Sequence, residues 1–106
     1  MARVSLVVLF ALVSLLPVLA AEATGESEYG VLHEAPGVDL TYAYCAGCHS
    51  EKLVAQQGLT REDWDQMLDW MVEEQGMAEI EEPDRSLVLD YLAEHYNVDR
   101  PYFSPQ

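Results

Sequence analysis

The sequence predicts a small all-α domain, and three observations predict it. Two stretches, ending near Val72 and His95, repeat apolar residues at the spacing of one helix face. Each stretch is bracketed by residues that start and stop helices. No segment alternates apolar and polar residues with the period of a strand, and no internal repeat is present.

Taken in order, Pro36-Gly37 opens a short helical segment over Val38–Tyr44, which runs into Cys45-Ala46-Gly47-Cys48-His49. Ser50–Leu59 reads as irregular and closes on Gly58, a chain-bending residue. Thr60-Arg61-Glu62-Asp63 has the form of a capping box, with Thr60 as N-cap and Asp63 answering it. The helix that follows carries Trp64, Met67, Leu68, Met71 and Val72 on one stripe, with Glu62, Asp65, Asp69 and Glu73 outside. Trp70 lies off the stripe and is expected to cover a flank. Gly76 stops the helix. Glu81-Glu82-Pro83-Asp84 starts another, with proline in the first turn and acids at its positive end. Its stripe is Leu87, Val88, Tyr91, Leu92 and His95. Beyond Asn97, Pro101 and Pro105 bar further helix, and Tyr102 and Phe103 are available to lie back on the domain.

The N-terminus has the layout of a secretory signal peptide. Arg3 precedes an apolar run, and Pro17 is followed by the small residues of a cleavage site after Ala20 or Ala21. An uncleaved anchor is the alternative, since Val4–Ala21 just reaches spanning length. No cysteine lies nearby, so a lipid anchor is not expected. The domain plan is a signal peptide over 1–21, a flexible acidic leader over 22–35, a folded domain over 36–96 and a tail over 97–106. Export makes the expected location the periplasm.

Charge narrows the partners. Five basic residues face nineteen acidic ones, a formal net charge of −14. Nucleic acid and anionic membrane surfaces are excluded as partners by repulsion. Steering toward a basic docking face and general solubility at high salt both remain open, because the acids form no single patch.

Cys45-Ala46-Gly47-Cys48-His49 is the spacing of covalent c-type haem attachment. Two thiols three positions apart on a helical turn project to one side and can add to neighbouring porphyrin vinyl groups. The imidazole that follows is placed to bind the iron. Other readings are a Cys45–Cys48 disulfide or redox dithiol, which an oxidising compartment favours, and zinc, for which the ligands are too few. A chain this short buries a limited core, and a haem would supply missing apolar volume. His33 falls in the leader and is expected to be solvated. His95 is expected to interact with the helix C-terminal dipole.

Three helices, the early Cys-x-x-Cys-His and Tyr91-Leu92 in the closing helix together resemble the small monohaem cytochrome c domain, over about Pro36–Tyr96. The resemblance implies a cytochrome c-like three-helix domain wrapped around one covalently bound haem. Gly37, eight residues before Cys45, matches a small residue used where the first and last helices cross. Thr41 departs from the pattern, standing where an aromatic is usual, with Tyr42 beside it. The family implies a methionine sulfur on the iron opposite His49. In the general family the matching position is Met77. A narrower resemblance runs through Gln56-Gln57-Gly58-Leu59-Thr60-Arg61-Glu62-Asp63-Trp64, Gly76 and Asp90-Tyr91-Leu92. It is to the cytochrome subunits of periplasmic sulfite dehydrogenases, and to the haem domains of some quinohaemoprotein dehydrogenases, and it implies Met71. Met67 is expected to pack in the core. The resemblance implies a one-electron carrier rather than an enzyme, working with a redox partner such as a molybdenum-containing dehydrogenase chain and a downstream oxidase or cytochrome. A haem enzyme or gas or peroxide sensor with a displaceable methionine is the alternative. Nothing else in the sequence suggests catalysis: no nucleophile adjoins a base, and there is no glycine-rich phosphate loop.

Overall fold

The computed structural model describes residues 27–103, so the expected signal peptide, its cleavage site and the start of the leader lie outside the described residues. Four helices follow one another: α1 (Val38–Cys45), α2 (Lys52–Ala55), α3 (Arg61–Gln75) and α4 (Asp84–His95). Among the described residues there is no strand, and the all-α class expected from periodicity is what forms.

Local chemistry accounts for the helix ends. Thr60 is extended, and its hydroxyl accepts the Asp63 N–H at 3.1 Å. The Asp63 carboxylate accepts that hydroxyl's proton at 2.8 Å, so the expected capping box closes through the side chain of Thr60. A cap of this kind contributes about 1 kcal/mol. Gly76 ends α3 in the left-handed region, φ 71°, where a side chain is strained. Helix α4 begins at Asp84, one residue after Pro83, and the Glu82 carboxylate accepts both the N–H and hydroxyl of Ser86. That serves the orphan donors of its first turn.

Helix α4 is the spine, with α1 and α3 each packed on it. Gly37 lets α1 start against α4. Its φ is 92°, and a Cβ there would lie 3.0 Å from both the Leu87 carbonyl oxygen and the Tyr91 Cβ. Thr41, in place of an aromatic, is fully buried, and its hydroxyl donates to the Gly37 carbonyl at 2.8 Å. Tyr42, beside it, is partly buried against the core and edge-on to Tyr29. Between α3 and α4, Arg85 donates to Asp65 at 3.0 Å and to Asp69 at 2.8 Å, and Arg61 pairs with Asp90. The core joins Val38 and Cys45 of α1, Val54 and Ala55 of α2, Trp64 and Leu68 of α3, and most of the inner face of α4.

Three expectations need correction. Ser50–Leu59 is not wholly irregular, because Lys52–Ala55 forms a helical turn that buries Val54 and Ala55. Leu87 is 47% exposed while Leu89 is buried. Helix α4 has neighbours on two sides, so its buried arc is centred on Val88 and Leu92, which rotates Leu87 out. Finally, residues 27–35 lie on α4. Leu32 is core, the Tyr91 hydroxyl donates to the His33 carbonyl at 2.6 Å, and the His33 N–H donates to the Tyr96 hydroxyl at 3.0 Å. His33 is therefore half-buried, where a solvated position had been expected. From the other end, Tyr102 stacks on His33 at 3.8 Å, and Arg100 lies over Phe103 and donates to the Gln56 carbonyl.

Substituting Gly37→Ala should lower stability by about 2 kcal/mol, from left-handed strain and crowding against α4 together. Urea unfolding measures this, and an unchanged midpoint would contradict the close helix crossing.

Candidate functional site

A cavity of about 550 Å³ opens between the end of α1, α2 and α3. This volume falls within the roughly 300–1,000 Å³ of small-molecule and cofactor clefts. Cys45, Cys48, His49, Met67, Met71 and Met77 all line it, so every residue singled out for cofactor chemistry reaches one space.

Their placement follows from helix geometry. Cys45 is the last residue of α1 and is buried, whereas Cys48 lies in the turn beyond it and is exposed. The two thus do not share a regular helical turn, as their spacing had suggested, but both still face the cavity. Both thiols are free. Burial pushes the Cys45 thiol up to about 11, which keeps it protonated at neutral pH. A dithiol reductant needs a thiolate, so this environment disfavours the redox-dithiol reading at Cys45.

His49 is oriented by its own backbone neighbour. Its Nδ1 lies 3.1 Å from the Ser50 carbonyl oxygen, which can only accept, so Nδ1 carries the proton. In the neutral ring this places the lone pair on Nε2, the nitrogen that could then bind a metal. Among the described residues no group of three or more His, Cys, Asp or Glu converges as on a metal ion. A zinc site of protein ligands therefore has no donor set there. A metal brought within a cofactor would draw on the His49 nitrogen and the thioether sulfurs.

Met67 and Met71 are one helical turn apart and share a face of α3. Met77 reaches the same cavity because Gly76 reverses the chain. The backbone N–H groups of Gly76 and Met77 both return to the Met71 carbonyl, the latter at 3.0 Å. The structure therefore brings both candidate sulfur donors together, and Met67, expected as core, lines the cavity as well as packing on the core.

Leu53, Val54, Trp64 and Trp70 add apolar surface to the wall, and Gln57 and Gln75 add two amides. Trp64 is fixed by its indole N–H, which donates to the Tyr96 carbonyl at 2.9 Å. Leu53 and Trp70 stay about half exposed, leaving an apolar rim open to solvent. Leu53 was not singled out from sequence, and Trp70 was read only as covering a helix flank. Trp70 follows Met67 by three positions, which is the signal that could have placed it here. Tyr44 was also missed. It borders the cavity, and its hydroxyl donates to Asp84 at 3.0 Å, tying α1 to the start of α4.

Gly76→Ala should cost about 1 kcal/mol, because a Cβ there meets no atom and only the left-handed backbone is strained. Thermal unfolding measures the loss, and full retention of stability would contradict the turn that delivers Met77.

Compared with known protein families, curated proteins and solved structures, the chain matches none, so the cavity is judged on its own residues.

Proposed function

We propose that this cavity holds one covalently attached haem c and that the chain is an exported one-electron carrier with a cytochrome c-like fold. The observation that carries the reading is the convergence of Cys45, Cys48, His49 and two accessible methionines on a single apolar cavity of cofactor size. Cys45 and Cys48 would hold the macrocycle as thioethers, and His49 Nε2 would bind the iron. Met71, which the narrower resemblance implies, would be the favoured sulfur donor to the iron, with Met77 as the alternative. When bound, the haem supplies a one-electron redox change, with a potential that thioether ligation raises relative to two imidazoles.

The chain's own residues support that role in three ways. The Ser50 carbonyl fixes the His49 tautomer and ring, as an outer-shell acceptor does for a metal-bound imidazole. Trp64, Val54 and the buried part of Cys45 close the inner wall against water. Leu53 and Trp70 form a half-exposed rim, which leaves one side of the cavity near the surface, where a redox partner can approach. Were His49 and one of the two methionines both to hold the iron, they would leave it no open site for a substrate, which favours electron transfer over catalysis. The proposed partner is a dehydrogenase, with a molybdenum-containing catalytic chain as the specific candidate, and a downstream oxidase or cytochrome. The periplasm is the proposed location.

The test is spectroscopic. Ferric protein should show the near-infrared band of methionine-ligated haem. Met71→Ala should abolish it, and Met77→Ala should retain it. The opposite pattern would move the ligand to Met77. Retention in both variants, or no band in the parent, would overturn the axial assignment.

A further inference from the structure

Away from the cavity, His33, Tyr91, His95, Tyr96 and Tyr102 form a cluster that draws on three separate parts of the chain. We propose that His33 and His95 form a proton-operated latch that fastens both residues 27–35 and the tail around Tyr102 onto α4. The latch is closed when His95 is neutral and released when it takes a proton.

The geometry is that of a cluster of tilted rings around His95, with one stacked pair, His33 and Tyr102, at its edge. The His95 ring centre lies 4.9 Å from Tyr91, 5.0 Å from His33 and 5.6 Å from Tyr102. Tyr102 lies parallel to His33 at 3.8 Å, so the tail is held through the same imidazole that faces His95. His95 is buried, with 9% of its surface exposed. Among the described residues no side-chain nitrogen of either histidine makes a hydrogen bond, and the nearest acceptor, a Glu94 oxygen, stands 3.8 Å from His95 Nε2. Glu94 is largely exposed, so its attraction is screened by solvent.

The charged and titratable groups facing His95 are Glu94 on its own helix, His33 on the N-terminal segment, and the phenols of Tyr91 and Tyr102. Burial, the largest influence, lowers the His95 pKa; Glu94 opposes this and His33 reinforces it. His95 is the last residue of α4, at the helix C-terminus where it was expected, and its ring is enclosed there. The sign of the pH effect follows. A pKa lowered in the folded state means that the closed form keeps its full stability above the unfolded value of 6.5 and loses it as pH falls below that value. A proton on His95 sits in an enclosed site whose nearest carboxylate, Glu94, lies 3.8 Å away and largely in solvent, and two imidazolium rings 5.0 Å apart repel.

Release has a path to the cavity. Tyr96 accepts the His33 N–H with its hydroxyl, while its carbonyl accepts both the Trp64 indole and the Leu59 N–H. The residue that holds the N-terminal segment thus also holds one cavity wall.

The test is a proton NMR titration of the full chain from pH 8 to pH 5. Tyr102 ring resonances should be shifted upfield by the His33 stack at pH 8, and should move to free-tyrosine positions below pH 6.5 while far-ultraviolet circular dichroism holds constant. His95→Phe should keep Tyr102 upfield across the range. His33→Phe should retain the stack and raise the His95 titration midpoint, because a like-charged neighbour is gone. A Tyr102 signal that never moves, or a His95→Phe profile identical to the parent, would overturn the latch. If His95→Phe fails to fold, the midpoint in His33→Phe decides, and an unshifted or lowered midpoint overturns it.

Discussion

The constraint on which the rest of the structure depends is that α1 and α3 both lean on α4. Gly37 sets how closely α1 approaches, and the Arg85 contacts to Asp65 and Asp69 help hold α3 on the other side. Because each packs on the spine, a space remains between the end of α1 and the face of α3. The first wall brings two thiols and an imidazole, and the second brings thioethers. The cavity is therefore a product of helix arrangement, and its chemistry is a product of which residues stand at the two facing ends.

Much of this was legible in the chain. Thr60 and Gly76 mark the ends of α3 through local physics alone, a hydroxyl cap and a left-handed turn, so they read correctly without tertiary knowledge. The stripe of α3 was equally clear, because one face looks inward and the other carries acids. Helix α4 was less clear. With neighbours on two sides its buried arc is broad, and the simplest periodic reading placed Leu87 inside. Helix α2 is too short to show a period, so only the tertiary burial of Val54 and Ala55 reveals it.

The candidate site divides in the same way. Cys45, Cys48 and His49 are adjacent in sequence, and their spacing alone nominated them. Met71 and Met77 were nominated by family resemblance, but their meeting depends on a backbone reversal at Gly76 that the sequence does not show. Leu53 escaped notice and Trp70 was read only as covering a helix flank, because half-exposed apolar residues become informative only beside a cavity. His33 and His95 lie far apart in sequence, and only the return of residues 27–35 onto α4 brings them together. The acidity of the surface surrounds all of these features and leaves docking and salt tolerance as uses compatible with the same charge.

The central claim is that the cavity is the seat of a covalently bound haem. Intact mass spectrometry of the protein expressed with its own N-terminal residues 1–21 tests it most directly, followed by mapping of the peptide that contains Cys45 and Cys48. The account predicts the mass of the cleaved chain plus one haem, with the added mass retained on that peptide after acid–acetone extraction. An unmodified chain, or one lighter by the two hydrogens of a Cys45–Cys48 disulfide, would contradict it.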